Sequence, residues 1–324
     1  MSQQEKSVMV TGGAGFIGSC VVKELNNRGI DNILIVDNLG DGVKWKNLVG
    51  KKFADCVHKT DLFNWLSAHG EAIGSIIHLG ACSDTVETDA NYLLENNYRY
   101  SRWLAEFAVP RQIRFIYASS AATYGDGSLG FSDSHEGLES LCPLNMYGYS
   151  KHLFDLWLLR SGMLNKVTGM KYFNVFGPNE WHKGRMASAI VRMVPEVQKE
   201  GKISLFASSH PSYKDGEQLR DFIYVKDVAA ITCDLLDAPP CGIVNVGKGV
   251  ATSWNALARA VFKALSLEES IEYIEMPEDL KGKYQYFTKA QTEKLERILK
   301  PSVHSIDSAV CDYINQHLLP EKRW

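Results

Sequence analysis

Residues 8–19 read Val8-Met9-Val10-Thr11-Gly12-Gly13-Ala14-Gly15-Phe16-Ile17-Gly18-Ser19. Apolar residues run into a glycine cluster, and the cluster runs into a helical pattern carried by Val21, Val22 and Leu25. That order predicts strand, tight turn and helix. Gly13-Ala14-Gly15-Phe16-Ile17-Gly18 fits G-x-G-x-x-G, in which missing side chains let the main chain approach a pyrophosphate at the positive end of a helix. Glycine-rich turns are common, so the pattern takes its meaning from its context. A strand precedes it, and Asp37 ends the apolar run Ile33-Leu34-Ile35-Val36 nineteen residues beyond Gly18, near the place where an acid is expected to bind a ribose hydroxyl.

Outward from that stretch, strand-like and helical patterns alternate. A second strand is expected at Ile33–Asp37, a short third near Cys56–Lys59, a fourth at Ser75–Leu79 and a fifth at Ile113–Ala118. The fold class is therefore α/β, a Rossmann-type doubly wound parallel sheet, with a smaller mixed α/β substrate-binding cap in the second half. The fourth strand breaks into Gly80-Ala81-Cys82-Ser83, and small residues at the carboxyl end of a strand are where such a sheet admits ligand. Asn96-Asn97 falls inside the next helix; asparagine is a poor helix former, which points to packing or ligand contact. His78, inside an apolar strand, reads as a satisfied core residue.

The 324 residues are 45% hydrophobic with a net charge of -3, enough for a sizeable core and without the basic excess that nucleic acid or an anionic membrane would call for. Seven cysteines show no C-x-x-C pair, which suits reduced thiols in a cytoplasm, and the nine histidines form no metal-ligand motif. Met1 to Lys6 is polar and no run of about twenty apolar residues follows, so neither a secretory leader nor a membrane span is expected.

The fifth strand delivers Ser119-Ser120-Ala121-Ala122-Thr123-Tyr124-Gly125 to the same edge, and Tyr147-Gly148-Tyr149-Ser150-Lys151 then opens a helix. Four-residue spacing puts Tyr147 and Lys151 on one face. Oxidising an alcohol with a nicotinamide needs a base that takes the hydroxyl proton as the hydride leaves carbon. A free tyrosine titrates near ~10, and lowering that by about three units takes roughly 4 kcal/mol of anion stabilisation. Lys151 and a positive nicotinamide ring are of the right charge to supply it, and Ser120 adds a hydroxyl for the substrate oxygen. In the loop after Asp37-Asn38, Lys44 offers a cation for a 2′-phosphate, while Asp37 favours a free ribose hydroxyl, so charge alone leaves NADP and NAD both open.

The combination TGGAGFIGS, VDN, SSAATYG and YGYSK resembles the extended short-chain dehydrogenases/reductases that act on nucleotide sugars, over nearly the whole chain. HLGACSDT, ENNYRYS, KYFNVFGPNEWHKGRMAS, RDFIYVKDVA and LKGKYQYFT are similar to the branch of that family that epimerises ADP-linked heptoses at C6 for the lipopolysaccharide core. The resemblance implies Tyr147, Lys151 and Ser120 as catalytic residues, and Lys183 of the HKG segment as a second acid/base group. It implies NADP. The glycine turn would hold it through Gly12, Gly15, Phe16, Ile17 and Gly18, joined by Asp37, Asn38, Lys44 and Lys59. Leu79, Gly80, Ala81, Cys82, Ser83 and Asn96, with Lys151, Val175 and Lys183, would complete the cofactor site. Substrate would meet Asn174, Arg185, Arg192, Phe206, Ala207, Ser208, Ser209, Arg220 and Tyr284. A guanidinium such as that of Arg220 can clamp a diphosphate with paired hydrogen bonds.

Three departures stand out. Leu79 replaces a glutamate of the related HEGAC segment, and Arg185 and Arg192 replace a serine and a histidine. The stretch 208–218 is longer than the shortest family form and is expected to be a surface loop over the nucleotide. Ala121 and Ala122 stand where related dehydratases carry an acidic pair, which argues against elimination of water. The expected division is a dinucleotide domain at 1–173 with returning segments near 221–246, and a cap from 174–220 and 247–324. Thr288-Lys289-Ala290-Gln291 fits a capping box that starts a helix running toward Ile298. A homo-oligomer is implied, a pentamer being one form. Another nucleotide-sugar 4-epimerase or reductase, and a dinucleotide sensor without chemistry, are the competing readings.

Overall fold

The computed structural model describes residues 6–277 and 285–324. Its centre is a parallel sheet of seven strands. Ser7–Thr11 (β1) pairs with Ile33–Asp37 (β2) on one side and with Ile73–His78 (β4) on the other, and Asp55–His58 (β3) lies beyond β2. Arg114–Ser120 (β5) and Thr168–Tyr172 (β6) extend the sheet past β4, and Gly242–Val246 closes that edge beside β6. Strand order reverses between β1 and β4, so the crevice at their carboxyl ends is the point where a doubly wound sheet takes ligand.

Residue alternation builds the layers. In β2, Ile33 and Ile35 belong to one core with the helix Phe16–Asn27 (α1), whereas Leu34 and Val36 join the opposite core with Leu62–His69 (α2). Every residue of β2 is buried, which is why it reads as a continuous apolar run. On the α1 side the second helix is Val225–Asp237, packed along α1. On the other side the helix after β4 comes in three pieces: Ala90–Leu93 (α3), a π-helical stretch Leu94–Arg99 and Tyr100–Ala108 (α4). The wide turns fall on Asn96 and Asn97, the poor helix formers. Met146–Arg160 (α5) completes that layer.

After β6 the chain leaves the large sheet at Phe173. Asn174–Phe176 pairs with Leu219–Tyr224, which in turn pairs with Ala251–Ser253, in a separate three-stranded sheet. Ile203–Phe206 and Ile271–Ile274 form a two-stranded parallel pair. Thus, of the segment expected to return near 221–246, the helix 225–237 and the strand 242–246 lie on the large sheet and the strand before them does not. The capping box at Thr288 does not form. That hydroxyl is buried and accepts the Asp221 N–H at 3.0 Å, the Ala290 N–H goes to the Asp221 carboxylate, and the helix begins later, at Glu293–Ile298. A tertiary partner has taken the donor and acceptor that a local cap would use.

Candidate active site

The glycine turn closes as the spacing predicts. Gly12 has φ +69°, and a Cβ there would lie 2.7 Å from the Gly80 nitrogen, so β1 and β4 approach closely only because position 12 is bare. A Cβ on Gly18 would lie 2.0 Å from the Gly12 oxygen. Gly15 caps α1 without a side chain, which leaves the N–H groups of the first helical turn for a ligand. These residues line one cleft of ≈ 670 Å³ that also takes in Asp37, Asn38, Lys44, Lys59, Ser120, Tyr147, Lys151 and Lys183. A bare helix start at the switch point of the sheet fits a dinucleotide pyrophosphate.

Asp37 is buried and engaged through both oxygens. Its carboxylate accepts the N–H of Ala14 at 2.8 Å and of Asn38 at 2.7 Å, and it pairs with the ammonium of Lys44. It therefore ties β2 to the glycine turn while Lys44 keeps a half-exposed position beside it. Lys59 donates to the Asn96 side chain at 2.7 Å. The neighbouring Asn97 bonds the main chain of Cys82 in both directions and donates to Ser150 at 3.0 Å, fixing the loop after β4 to α5. His78 is the satisfied core residue expected. It meets Thr11 at 2.6 Å and Ser101 at 2.7 Å, and Thr11 accepts the Gly80 N–H.

Asn145 caps α5 by accepting the Gly148 N–H at 2.8 Å. A Cβ on Gly148 would lie 2.8 Å from the Ala122 oxygen, so this glycine lets the helix start sit against the end of β5 and brings Tyr147 to Ser120. Burial pushes the Tyr147 phenol above its usual value, and its hydrogen bond with Ser120 opposes that. Lys151 is buried and its ammonium is brought down to about 8 by loss of water, against the pull of Asp155 one turn further on. Asp155 in turn accepts from Tyr117 at 2.8 Å and Ser119 at 2.7 Å. Lys183 comes from a different element, the short turn Trp181–Met186, with its nitrogen 5.3 Å from the Phe16 ring centre. Burial lowers its ammonium as well, opposed by Glu180.

Leu79, Gly80, Ala81, Ser83, Asn96, Asn174 and Val175 also line the cleft, whereas Cys82 lies outside the lining, its main chain bonded to Asn97. Arg185 lies outside the lining, exposed and paired with Asp84 at 2.9 Å, and Arg192 lies outside it on the helix Ala189–Glu200. Phe206, Ala207, Ser208 and Ser209 lie outside the lining and lead from the strand Ile203–Phe206 into the longer loop, which is closed by Ser208 N–H to Asp215 at 2.7 Å and stacks its Tyr213 on Tyr286. Arg220 is buried on the same face of its strand as Phe222, a lining residue. Asp221 points its carboxylate elsewhere, to the N–H groups of Lys248, Gly249 and Ala290. Tyr284 falls outside the described residues. Sequence reasoning passed over His182, Phe222 and Trp254, all in the lining. Trp254 opens a helix far along the chain and carries no local signal, while His182 stood in plain sight beside Lys183. No cluster of metal-binding side chains occurs among the described residues, and no described helix is long and apolar enough to cross a membrane.

Residues 8–247 match the family described as NAD dependent epimerase/dehydratase family. A relative in Nitratidesulfovibrio vulgaris (strain DP4), named ADP-L-glycero-D-manno-heptose-6-epimerase, is 51% identical over 315 residues, covering 96% of this chain and 97% of that one. A relative of the same name in Fusobacterium nucleatum is 45% identical over 97% of this chain and 98% of its own. Among solved structures, the Helicobacter pylori ADP-L-glycero-D-manno-heptose-6-epimerase superposes with a TM-score of 0.81 at 27% identity, covering 97% of this chain and 96% of the other.

Proposed function

The chain belongs to the NAD dependent epimerase/dehydratase family, and from that premise we infer that it inverts C6 of the heptose in an ADP-D-glycero-D-manno-heptose to give the L-glycero form. It is an isomerase that uses a nicotinamide dinucleotide. The observation that carries the reading is one cleft in which the glycine turn, Ser120, Tyr147 and the buried Lys151 meet a second, partly buried amine, Lys183, from a separate element.

The glycine turn, Lys44 and Lys59 would hold the dinucleotide, which when bound would supply reversible hydride chemistry at C6. Tyr147 removes the C6 hydroxyl proton as the substrate becomes a ketone. Its phenol is held up by burial, so it needs a cation; an ammonium about 4 Å from a phenolate at an effective dielectric of about 20 is worth about 4 kcal/mol, the size of a three-unit shift. Lys151 supplies that charge, and Asp155 keeps Lys151 protonated. Ser120 bonds the substrate oxygen. Inversion requires the ketone to be presented by its other face, where Tyr147 is badly placed; Lys183 then gives a proton of its own to the oxygen, and exchange with water takes the proton from Tyr147 and restores the one on Lys183. Asn174 and Arg220 hold the sugar nucleotide.

NADP is the dinucleotide this reading favours. Asp37 already accepts two main-chain N–H groups and pairs with Lys44, which leaves it less free for a ribose hydroxyl, and Lys44 offers the kind of cation that a 2′-phosphate needs. All seven cysteines are free, in keeping with a cytoplasmic enzyme, which the reading takes to be a homo-oligomer serving lipopolysaccharide synthesis. The test is to incubate purified protein with ADP-D-glycero-D-manno-heptose and, separately, with UDP-galactose, and to weigh the dinucleotide released on denaturation. Conversion of the heptose alone and the mass of NADP are expected; conversion of UDP-galactose alone would replace this reading with a 4-epimerase, and no conversion of either with NADP still bound would replace it with a sensor.

A further inference from the structure

The turn that carries Lys183 is held from behind by residues far away in sequence. Asn179, just ahead of it, is buried with φ +75°, a left-handed conformation that asparagine tolerates better than other side chains. Its side-chain amide pairs with the main chain of Trp324 in both directions, each bond 3.0 Å. Glu180 accepts the Ser188 N–H at 2.6 Å and the Tyr313 hydroxyl at 2.9 Å, closing the turn from the other end.

Between this turn and the glycine turn lies the side chain of Asn47, which is buried. Its nitrogen donates to the main-chain oxygen of Ala14 at 3.1 Å and to that of Asn179 at 3.2 Å, and its oxygen accepts from the Arg323 guanidinium at 3.0 Å. A primary amide has two N–H groups, and here both are used on two carbonyls. Arg323 decides which way round the amide stands, because a flipped amide would turn oxygen toward two oxygens and N–H toward a cation. The His182 ring nitrogen at 3.3 Å is then a neighbour and no acceptor, since it donates to the same Asn179 oxygen at 3.0 Å. Arg323 is itself steadied over the Trp181 ring at 5.0 Å.

We infer that Asn47 is a positioning residue for the epimerisation: its amide sets the distance between the Lys183 turn and the dinucleotide turn, and Arg323 fixes the amide. This rests on the acid/base reading of Lys183 given above. Asn47 touches neither ligand in this role, and it acts by holding one main-chain oxygen of each turn. Small displacements of a proton-transfer group cost large factors in rate, so the loss should appear in kcat and should vanish when the amine is absent.

The experiment is a double-mutant cycle on the full-length holoenzyme with ADP-D-glycero-D-manno-heptose. Asn47→Ala is expected to lower kcat roughly tenfold with KM changed by less than about twofold, and to change kcat less than about twofold when added to Lys183→Ala. Arg323→Ala, at a half-exposed position safer for folding, is expected to lower kcat about threefold in the parent and not in Lys183→Ala. A loss of the same factor in both backgrounds would overturn the coupling and leave Lys183 its role. An unchanged kcat in Asn47→Ala and Arg323→Ala would overturn it too. Full turnover by Lys183→Ala alone would remove the acid/base reading and this inference with it.

Discussion

The dinucleotide end of the cleft and its sugar end are built in opposite ways. The first is built mainly from one local unit: β1, the turn and α1 occupy residues 7–27, Gly18 meets Gly12 within it, and Gly12 meets Gly80 of the β4 end, main chain to main chain in both. The second is a composite of Asn174, the Lys183 turn, Phe222 and Trp254, drawn from four separate stretches and held by side-chain amides and buried carboxylates. A site made of main chain is intolerant of a single methyl group, whereas a site made of side chains loses affinity one contact at a time.

The largest effect should therefore come from Gly18→Ala. Its Cβ would stand 2.0 Å from the Gly12 oxygen, and neither backbone can yield without parting helix from strand. We expect dinucleotide affinity to fall by at least about 100-fold and stability by about 1–3 kcal/mol, measured by calorimetric titration and urea unfolding. Normal binding would break the contrast between the two ends. Arg220→Ala probes the other end and should be milder, with ADP bound roughly tenfold more weakly, the low side of a charged hydrogen bond, and the dinucleotide unaffected. Unaltered ADP affinity would reassign Arg220 to the architecture of its sheet.

A separate test, of pH dependence, concerns His78, which bridges Thr11 and Ser101 beneath the dinucleotide end. Burial holds its imidazole down at about 3, while in the unfolded chain it takes a proton near 6.5. Its folded value is depressed, so its stabilisation is complete above pH 6.5 and is lost progressively as pH falls from 6.5 toward about 3. At pH 5 the loss should be about 2 kcal/mol, and His78→Gln should lose correspondingly less between pH 7.5 and 5 in urea unfolding. An equal pH dependence in both proteins would mean that the imidazole is not kept neutral by the fold.

How much of this the sequence reveals follows from the same contrast. The glycine turn, Asp37 and the Tyr147–Lys151 spacing are legible because residues within one or two elements meet by the geometry of a strand or a helix. Gly148 has its reason only once Ala122 is seen against it. Asn47 and Trp254 carry no local signal, since their partners lie far along the chain. The capping box at Thr288 shows the reverse failure: a valid local pattern was displaced by the buried Asp221, which had greater need of its donors. Asp37 is a subtler instance. Its spacing suggests a ribose ligand, and the structure shows a carboxylate already shared between the turn and Lys44.

The claim on which the rest depends is that Tyr147 moves the proton in a site whose dinucleotide is held by other residues. Measuring ADP-heptose turnover and NADP affinity in Tyr147→Phe tests it directly. The account predicts NADP bound as in the parent and turnover reduced by at least ~100-fold, the low range for lost acid/base catalysis. Turnover equal to that of the parent, with NADP bound, would contradict it.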